Sequence, residues 1–343
     1  MTGSNKKKTI LITGPAPTNV GGISKHIRRL VDLLADRCNF DFIDEARNRS
    51  KGFFNIRSLN VFTYLRKIRK ADVVHINSGA FSFRVLNIIM CRLLMRKYTV
   101  VTIHRDPNIE HFTSLMRWLL SKCQVVINVS ESGHKLLKTH TATCHYVCMP
   151  AYLPANMEKE PELPANVKAW LDDVRKDPKA VVMASNASNL VMHDGVDLYG
   201  VDLSIGAMRR LPKNYHLIFV VVKCDIPDFL DAYHVAIDDN SLGDRMLLLD
   251  SPLSFVKLIE KCDIVLRTTN TDGDSITVRE ALALGKPIVA SDICSRPEGT
   301  ILFSNRNVTS LVNAIMSVKD SKPAIPDEAQ QDYAAIYSEF YYL

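Results

Sequence analysis

The sequence lacks several features that would place it in a specialised class. It has no run of roughly 18 apolar, uncharged residues, so a transmembrane helix is not expected. The apolar run Ile10–Ile12, which follows a basic start, is too short for a signal peptide. The eight cysteines are scattered, and the close pair Cys144 and Cys148 has no second pair at metal-ligand spacing. These absences predict a cytoplasmic protein with reduced thiols.

Charge is distributed unevenly along the chain. Residues 1–150 contain 24 Lys or Arg and nine Asp or Glu, a balance of +15, whereas the remainder has a balance of −9. A basic half suits a polyanion such as an anionic bilayer or a lipid diphosphate, although a merely solvated surface stays open. Nucleic acid is not expected, because no nucleic-acid-binding motif occurs. An apolar helix predicted over Phe83–Lys97 would either lie on a membrane or cover a sheet.

The length of 343 residues exceeds one ordinary core and suits two domains. Short apolar strands alternate with helical segments twice, which predicts two Rossmann-like, doubly wound α/β sheets facing across a cleft. Prolines from Pro150 to Pro164 mark the boundary. We predict an N-terminal domain over 1–150, a linker over 151–165, a C-terminal domain over 166–325 and a final helix over 326–343.

A glycine loop follows the first predicted strand, Thr9–Thr13. Gly21 and Gly22 lie at the start of the next predicted helix, where the backbone could approach a diphosphate closely. The dinucleotide fingerprint Gly-x-Gly-x-x-Gly is absent. His104 follows the predicted strand Tyr98–Ile103, at the end where open α/β sheets place their ligands. A histidine bonded only to backbone is the alternative there.

The segment from Asp272 to Asp292 carries the clearest signal. An acidic loop precedes a helix that Asp274 or Ser275 could cap and that Gly285 and Pro287 end, before a short apolar strand. The N-terminus of such a helix has a partial positive charge that suits phosphate. Glu280 would lie roughly 7–8 Å along the helix axis, so a phosphate could sit between two carboxylates.

This segment resembles the donor-binding motif of the family 4 retaining glycosyltransferases, which have the GT-B fold. Their pattern is Glu, seven residues, Glu-Ala, a short helix and Gly-Lys-Pro. Glu280-Ala281 and Gly285-Lys286-Pro287 match, and Asp272 stands where the first Glu is expected. The Gly21-Gly22 loop, His26 and His104 extend the resemblance, and the last helix of such enzymes crosses back to the first domain.

The resemblance implies a catalytic set of His104, Asp272 and Glu280. Glu280 would hold the ribose and Asp272 the transferred sugar of a UDP- or GDP-sugar donor. The remaining donor-binding residues would be Gly21, Gly22, Lys223, Arg267, Gly273, Asp274, Ser275, Ile276 and Thr277. Front-face transfer, in which the leaving phosphate takes the acceptor proton, is expected from the same resemblance. A saccharide or lipid-linked saccharide would be the acceptor, in surface polysaccharide synthesis at the inner face of a membrane.

The sequence departs from the family at the diphosphate. The usual Arg and Lys are replaced by Asn189-Leu190 and Asp194-Gly195. Lys223 and Arg267, at predicted strand ends, are therefore expected to supply the cations, with Arg296 as a third candidate.

Asp272-Gly273-Asp274 also resembles a metal-binding Asp-x-Asp motif. No metal or cofactor is expected, because the helix and Gly-Lys-Pro favour the GT-B interpretation. A nucleotide-sugar epimerase, a phosphorylase and a noncatalytic GT-B subunit are the rival functions.

Overall fold

The computed structural model describes residues 7–19, 21–104, 114–130, 133–135, 144–224, 227–318 and 325–342. The chain divides into two compact units. Unit 1 comprises Met1–Leu153 and Asp332–Leu343, and unit 2 comprises Pro154–Gln331. Half of a helix predicted from Ser130 to Leu137 lies outside the described residues. Within the described ranges, no helix is both long and apolar enough to cross a membrane.

The described residues of unit 1 include seven strands that form one parallel sheet. Its strand order is β3-β2-β1-β4-β5-β6-β7, with the switch point between β1 and β4, where the strand order reverses. The strands are β1 (Thr9–Gly14), β2 (Asn39–Asp44), β3 (Phe54–Asn55), β4 (Val73–Ile76), β5 (Tyr98–Ile103), β6 (Val125–Asn128) and β7 (His145–Cys148).

Helices cover this sheet. They are α1 (Gly22–Leu34), α2 (Val61–Lys70), α3 (Phe81–Asn87) and α4 (Ser114–Ser121), with a 3-10 turn at Ile56–Ser58 and π-helical turns at Ile88–Leu94. In α1, Ile27, Leu30 and Leu34 recur at helical spacing and are fully buried. The segment Phe83–Lys97, predicted as one helix, is instead α3 followed by the π-helical turns.

In the described part of unit 2, six strands form a second parallel sheet, in the order β12-β11-β8-β13-β14-β15. A hairpin of β9 and β10 follows β8. The strands are β8 (Val181–Ala187), β9 (Met192–His193), β10 (Val196–Asp197), β11 (Tyr215–Val221), β12 (Met246–Leu249), β13 (Ile264–Arg267), β14 (Ile288–Ser291) and β15 (Ile301–Phe303).

Both faces of this second sheet are buried. Along β11, Leu217 and Phe219 pack into one apolar cluster, and Ile218 and Val220 into the other. Because a parallel sheet is covered by its own crossover helices, its strands are continuously apolar. The helices are α5 (Ala165–Val174), α6 (Val201–Met208), α7 (Pro227–Asp239), α8 (Phe255–Lys261), α9 (Ile276–Ala283) and α10 (Val308–Met316), with a 3-10 turn at Asp327–Gln330.

The last helix, α11 (Tyr333–Phe340), belongs to unit 1. Tyr333, Tyr337 and Tyr341 are almost completely buried there. The prediction of two doubly wound parallel sheets is confirmed. Helices α4, α5 and α7 were not predicted, although Val167, Leu171 and Val174 of α5 already have helical spacing.

Candidate functional site

The switch point of the unit 2 sheet lies between β8 and β13, and the candidate site is built at the C-terminal ends of these strands. β13 ends at Arg267, and a loop then leads into α9, which has Ser275 at its N-cap. Gly285 has a φ of 63°, which ends the helix, and β14 follows directly. The predicted helix and strand are therefore confirmed.

The N-terminus of α9 is a favourable position for an anion. No side chain caps it by hydrogen bonding, including the predicted cap Ser275, and its first turn contains no acidic residue. Thr277 Oγ1 donates to Asn186 Oδ1 at 3.2 Å, which ties the first turn to the end of β8. The helix dipole and backbone N–H groups of such an end attract phosphate.

Asp272 is held by two arginines from different parts of unit 2. Arg267 binds it with two parallel hydrogen bonds of 2.9 and 3.0 Å, and Arg296 Nη1 donates to Oδ2 at 2.8 Å. Thr269 Oγ1 and Gly273 N also donate to this carboxylate. A carboxylate offers about four lone-pair directions, so these five donors occupy the acceptor capacity of Asp272.

The two cations keep Asp272 ionised although it is largely buried. Burial by itself raises the pKa of this carboxyl, but attraction and hydrogen bonds from Arg267 and Arg296 lower the pKa to about 2. The guanidinium of Arg267 also lies 5.3 Å from the ring centroid of Tyr199. This cation–π contact helps to hold the Arg267 side chain in place.

Further along α9, Arg279 Nε donates to Asp274 Oδ1, and both side chains are mostly buried. The next residue, Glu280, is 1% exposed. The paired acids of the Asp-x-Asp segment therefore bind different arginines: Asp272 binds Arg267 and Arg296, and Asp274 binds Arg279. Within the described ranges, no group of three or more His, Cys, Asp or Glu side chains is arranged to hold a metal ion.

Lys223 lies just beyond β11, on the other side of β8 from Arg267, and its side chain is exposed. Its carbonyl accepts from Leu190 N at 2.8 Å, which fixes the backbone at this edge of the sheet. The sequence from Ala180 to Met208 contains no Lys or Arg. Of the three cations that the sequence suggested, Lys223 follows β11 and Arg267 ends β13, the two strands that flank β8.

The segment after β8, where the resemblance expects the Arg and Lys, is the hairpin β9–β10. Asp194 and Gly195 have φ values of 51° and 76° and form its turn. Asn270 in the loop after β13 donates to His193 O and from its backbone to Leu198 O. The hairpin therefore braces the loop that carries Asp272.

The glycine loop of unit 1 is anchored by Asp44 at the end of β2. Its carboxylate accepts from Ala16 N, Ala46 N and Ser50 N, and from Asn55 Nδ2. These hydrogen bonds outweigh the effect of burial and lower its pKa. Gly21, the N-cap of α1, has a φ of 141°, and Gly22 begins the helix.

His104 lies at the end of β5, as predicted, and belongs to a cluster of histidines. Its Nε2 donates to Asn77 Oδ1 at 2.9 Å, so Nδ1 is the ring atom left to accept a proton. The ring of His26 lies edge-on at 5.1 Å between centroids. Burial lowers the pKa of His104 well below its usual value and that of His26 to about 4, so both rings are neutral at physiological pH.

The other contacts of His26 are structural. Its Nδ1 donates to Ala151 O at 2.8 Å, and the hydroxyl of Tyr337 lies 3.4 Å from Nε2. Its 2% exposure fits a packing role. Tyr337 comes from α11, far away in sequence, so no local pattern could have indicated this contact.

Sequence reasoning missed Glu45, which directly follows β2 at the same edge of the unit 1 sheet. Its Oε1 accepts from Ser78 Oγ and Asn87 Nδ2, both at 2.7 Å, and its backbone N donates to Gly14 O. Burial raises the pKa of Glu45 to about 7, against the effect of these hydrogen bonds.

Comparison with known proteins supports the fold. No protein-family model and no curated protein sequence matches the chain. HepE from Anabaena, solved with UDP, aligns with a TM-score of 0.64 and 17% identity over 97% of this chain and 95% of that chain. MnaA from S. aureus, solved with UDP, gives 0.63 and 13% over 98% and 96%. A glycosyltransferase from Rickettsia africae ESF-5 gives 0.60 and 16% over 98% and 94%.

These likenesses extend over nearly the whole chain at low identity, and they therefore establish its architecture. The two parallel-sheet α/β domains are those of the GT-B fold. The family 4 assignment depends on the motif residues alone.

Proposed function

We propose that the chain is a retaining glycosyltransferase that moves a sugar from a UDP- or GDP-sugar to a saccharide or lipid-linked saccharide in surface polysaccharide synthesis. The observation that carries this proposal is the open N-terminus of α9 beside the Arg267–Asp272–Arg296 cluster, at the switch point of the unit 2 sheet. Similar folds support it, because HepE was solved with UDP-glucose.

In the proposed reaction, the bond between the sugar C1 and the diphosphate breaks while the acceptor oxygen bonds C1 on the same face. The acceptor proton passes to the leaving phosphate. Negative charge grows on the diphosphate, so groups already oriented toward it contribute most. The N–H groups at Ser275, Ile276 and Thr277, together with Arg267 and Arg296, would provide this stabilisation, while Glu280 would hold the ribose.

Asp272 has two proposed roles that an experiment can separate. The resemblance assigns it to the transferred sugar, whereas its contacts support a role in positioning Arg267 and Arg296. If Asp272 holds only the sugar, Asp272→Asn should lower kcat and leave UDP affinity unchanged. If it positions the arginines, the same variant should also weaken UDP binding in a calorimetric titration.

The donor assignment is tested by substitutions at the site. Glu280→Ala should abolish measurable donor binding, and Lys223→Ala and Arg267→Ala should each weaken it about tenfold, as expected for loss of a charge-assisted contact. Arg209→Ala, on the exposed end of α6, is the matched control. Unchanged donor affinity in all three site variants would refute the proposed pocket.

One observation favours a second function, a noncatalytic GT-B subunit that binds a partner glycosyltransferase. The chain from Ala180 to Met208 has no cation to neutralise a diphosphate. Titration of UDP and GDP combined with a donor-hydrolysis assay separates the possibilities: nucleotide binding without turnover supports the subunit, and release of a free sugar epimer supports an epimerase. Full transfer in excess chelator would support the proposed independence from metal.

We also propose that the enzyme acts at the inner face of a membrane, where unit 1 contacts anionic lipid. The positive balance of residues 1–150 supports this location.

A further inference from the structure

Three apolar side chains at the start of α2 remain outside the core. Leu59, Val61 and Phe62 are 83%, 62% and 78% exposed. Leu59 also has a φ of 56°, a left-handed conformation that is unfavourable for leucine. These three side chains therefore form an exposed apolar group at the surface of unit 1 and contribute little buried apolar area to its stability.

An apolar groove adjoins these residues. It has a volume of about 510 Å³ and lies between the segment Ile56–Tyr64 and the helix α3. Phe83, Leu86 and Met90 line its far side. The guanidinium of Arg57 lies 4.9 Å from the Phe83 ring centroid, at the rim. The exposed residues thus extend an apolar depression that has a cation at its edge.

The chain segment that contains these residues is basic, and within it Lys67 pairs with Asp41 of β2. Residues 46–71 contain eight Lys or Arg and no Asp or Glu. On α2, Phe62, Arg66 and Arg69 are spaced i, i+4 and i+7, so they share one helix face, and both arginines are exposed. The opposite face, with Tyr64 and Ile68, is buried. An apolar tip surrounded by cations matches the interface of an anionic bilayer.

We propose that this docking surface, formed by Leu59, Val61, Phe62, Arg66 and Arg69, binds unit 1 to an anionic lipid bilayer. The apolar side chains enter the interface, and the arginines contact the lipid headgroups. The benefit of this binding depends on the proposed function, since a lipid-linked acceptor would lie in that bilayer. Vesicle binding itself requires neither donor nor acceptor.

This docking surface is not the segment Phe83–Lys97, for which the sequence allowed either a helix on a membrane or a helix that covers a sheet. Ile88 and Cys91 of that segment are fully buried in the core of unit 1. Phe83 and Leu86 contribute to the groove beside the docking surface.

Flotation of the full chain with vesicles tests the proposal. We expect binding to vesicles of equal parts phosphatidylglycerol and phosphatidylcholine, and little binding to phosphatidylcholine alone. Leu59→Asn/Val61→Ser should weaken binding about tenfold or more through lost apolar contact. Asn adopts the left-handed conformation readily, so this variant should stay folded. The matched control Val235→Ser/Leu302→Asn changes residues of the same types that are 58% and 53% exposed in unit 2, and should bind like the wild type.

The charge contribution is tested separately. Arg66→Gln/Arg69→Gln should weaken binding by about fivefold per residue removed, whereas Arg209→Gln/Arg210→Gln in unit 2 should have no effect. Wild-type binding by both docking-surface variants would overturn the proposal. So would a dimer of the wild type, seen in analytical ultracentrifugation, that Leu59→Asn/Val61→Ser abolishes, because the surface would then join two copies. Calorimetric titration with UDP on the same variants reports the donor site independently.

Discussion

Two buried acids, Asp272 in unit 2 and Glu45 in unit 1, have pKa values that shift in opposite directions. In unit 2, Asp272 faces Arg267 and Arg296, and its pKa falls to about 2. In unit 1, Glu45 receives neutral donors, with Arg84 acting through longer-range attraction, and its pKa rises to about 7. Burial penalises the charged form in both places. At Asp272 the direct guanidinium contacts outweigh this penalty, whereas the hydrogen bonds to Glu45 do not.

The two tryptophans allow each unit to be followed alone. Trp118 lies on α4 in unit 1, and Trp170 lies on α5 in unit 2. A Trp118→Phe background reports unfolding of unit 2, and Trp170→Phe reports unfolding of unit 1. Fluorescence-monitored urea unfolding in these backgrounds is the measurement for the stability predictions.

The largest effect is expected for Asp272→Asn. Removal of this charge leaves two mostly buried guanidiniums without their carboxylate, and should lower the stability of unit 2 by about 4 kcal/mol. Asp173→Asn, in the exposed pair with Lys176, should cause no measurable change. Since the pKa of Asp272 is lowered from 3.8 to about 2 in the folded chain, its contribution is present above pH 3.8 and should fade as the pH falls toward 2. Equal losses in the two variants would contradict the contrast between buried and exposed pairs.

Glu45→Gln should reveal the opposite pH dependence in unit 1. Between pH 4.5 and 7 the unfolded chain has lost the Glu45 proton and the folded chain keeps it. Stability should therefore fall as the pH rises through this window, by about 3 kcal/mol in total, and the variant should not show this loss. The difference in unfolding free energy between the two proteins at pH 5 and pH 8 measures it.

His26 provides the internal control for that experiment. Its pKa is lowered from 6.5 to about 4, so it contributes stability that is lost as the pH falls from 6.5 toward 4. This contribution is present in both proteins and cancels in their difference. A difference between wild type and Glu45→Gln that does not change with pH would refute the raised pKa of Glu45.

A smaller effect is expected where the loops of the unit 2 site meet. Gly200 has a φ of 70°, and a Cβ there would lie 2.5 Å from Thr268 O. Gly195 has a similar φ of 76° with open space around it. Gly200→Ala should destabilise unit 2 by about 2 kcal/mol more than Gly195→Ala, because only the first adds a backbone clash to the strain. Equal losses would mean that the loop moves freely.

The smallest expected change is that of Tyr341→Phe in unit 1. The Tyr341 hydroxyl lies 2.5 Å from His75 Nδ1, and both residues are fully buried. Loss of this hydrogen bond should cost about 1 kcal/mol. Tyr342→Phe, at a residue that is 65% exposed, should cost less. The same urea measurement applies, and an equal cost at both positions would argue against a buried polar contact.

Local sequence signals predicted the segment around α9 well. Ser275 lies at the N-cap position, although its side chain makes no capping hydrogen bond, and Gly285 and Pro287 directly follow the helix. Its boundaries could therefore be read from the sequence. The contact of Arg296 with Asp272 spans 24 positions and depends on how the loop after β14 turns. For that reason Arg296 could only be proposed as a cation, and its partner could not be named.

Contacts that depend on the whole fold were beyond prediction. Glu45 looked like one of many charges at the start of an irregular loop, and its burial follows from Ser78 and Asn87, which lie 33 and 42 positions later. The sequence placed His104 correctly at a strand end, because strand ends are local. Its neutral state depends on neighbours such as His26 that only the folded sheet brings close.

The position of α11 in the chain has a consequence for synthesis. Unit 1 is made of two chain segments, and the second segment, from Asp332, is translated only after all of unit 2. Until then, the apolar surface of unit 1 that buries Tyr333, Tyr337 and Tyr341 in the folded chain stays uncovered. Unit 1 can therefore complete its core only after the whole of unit 2 has been made.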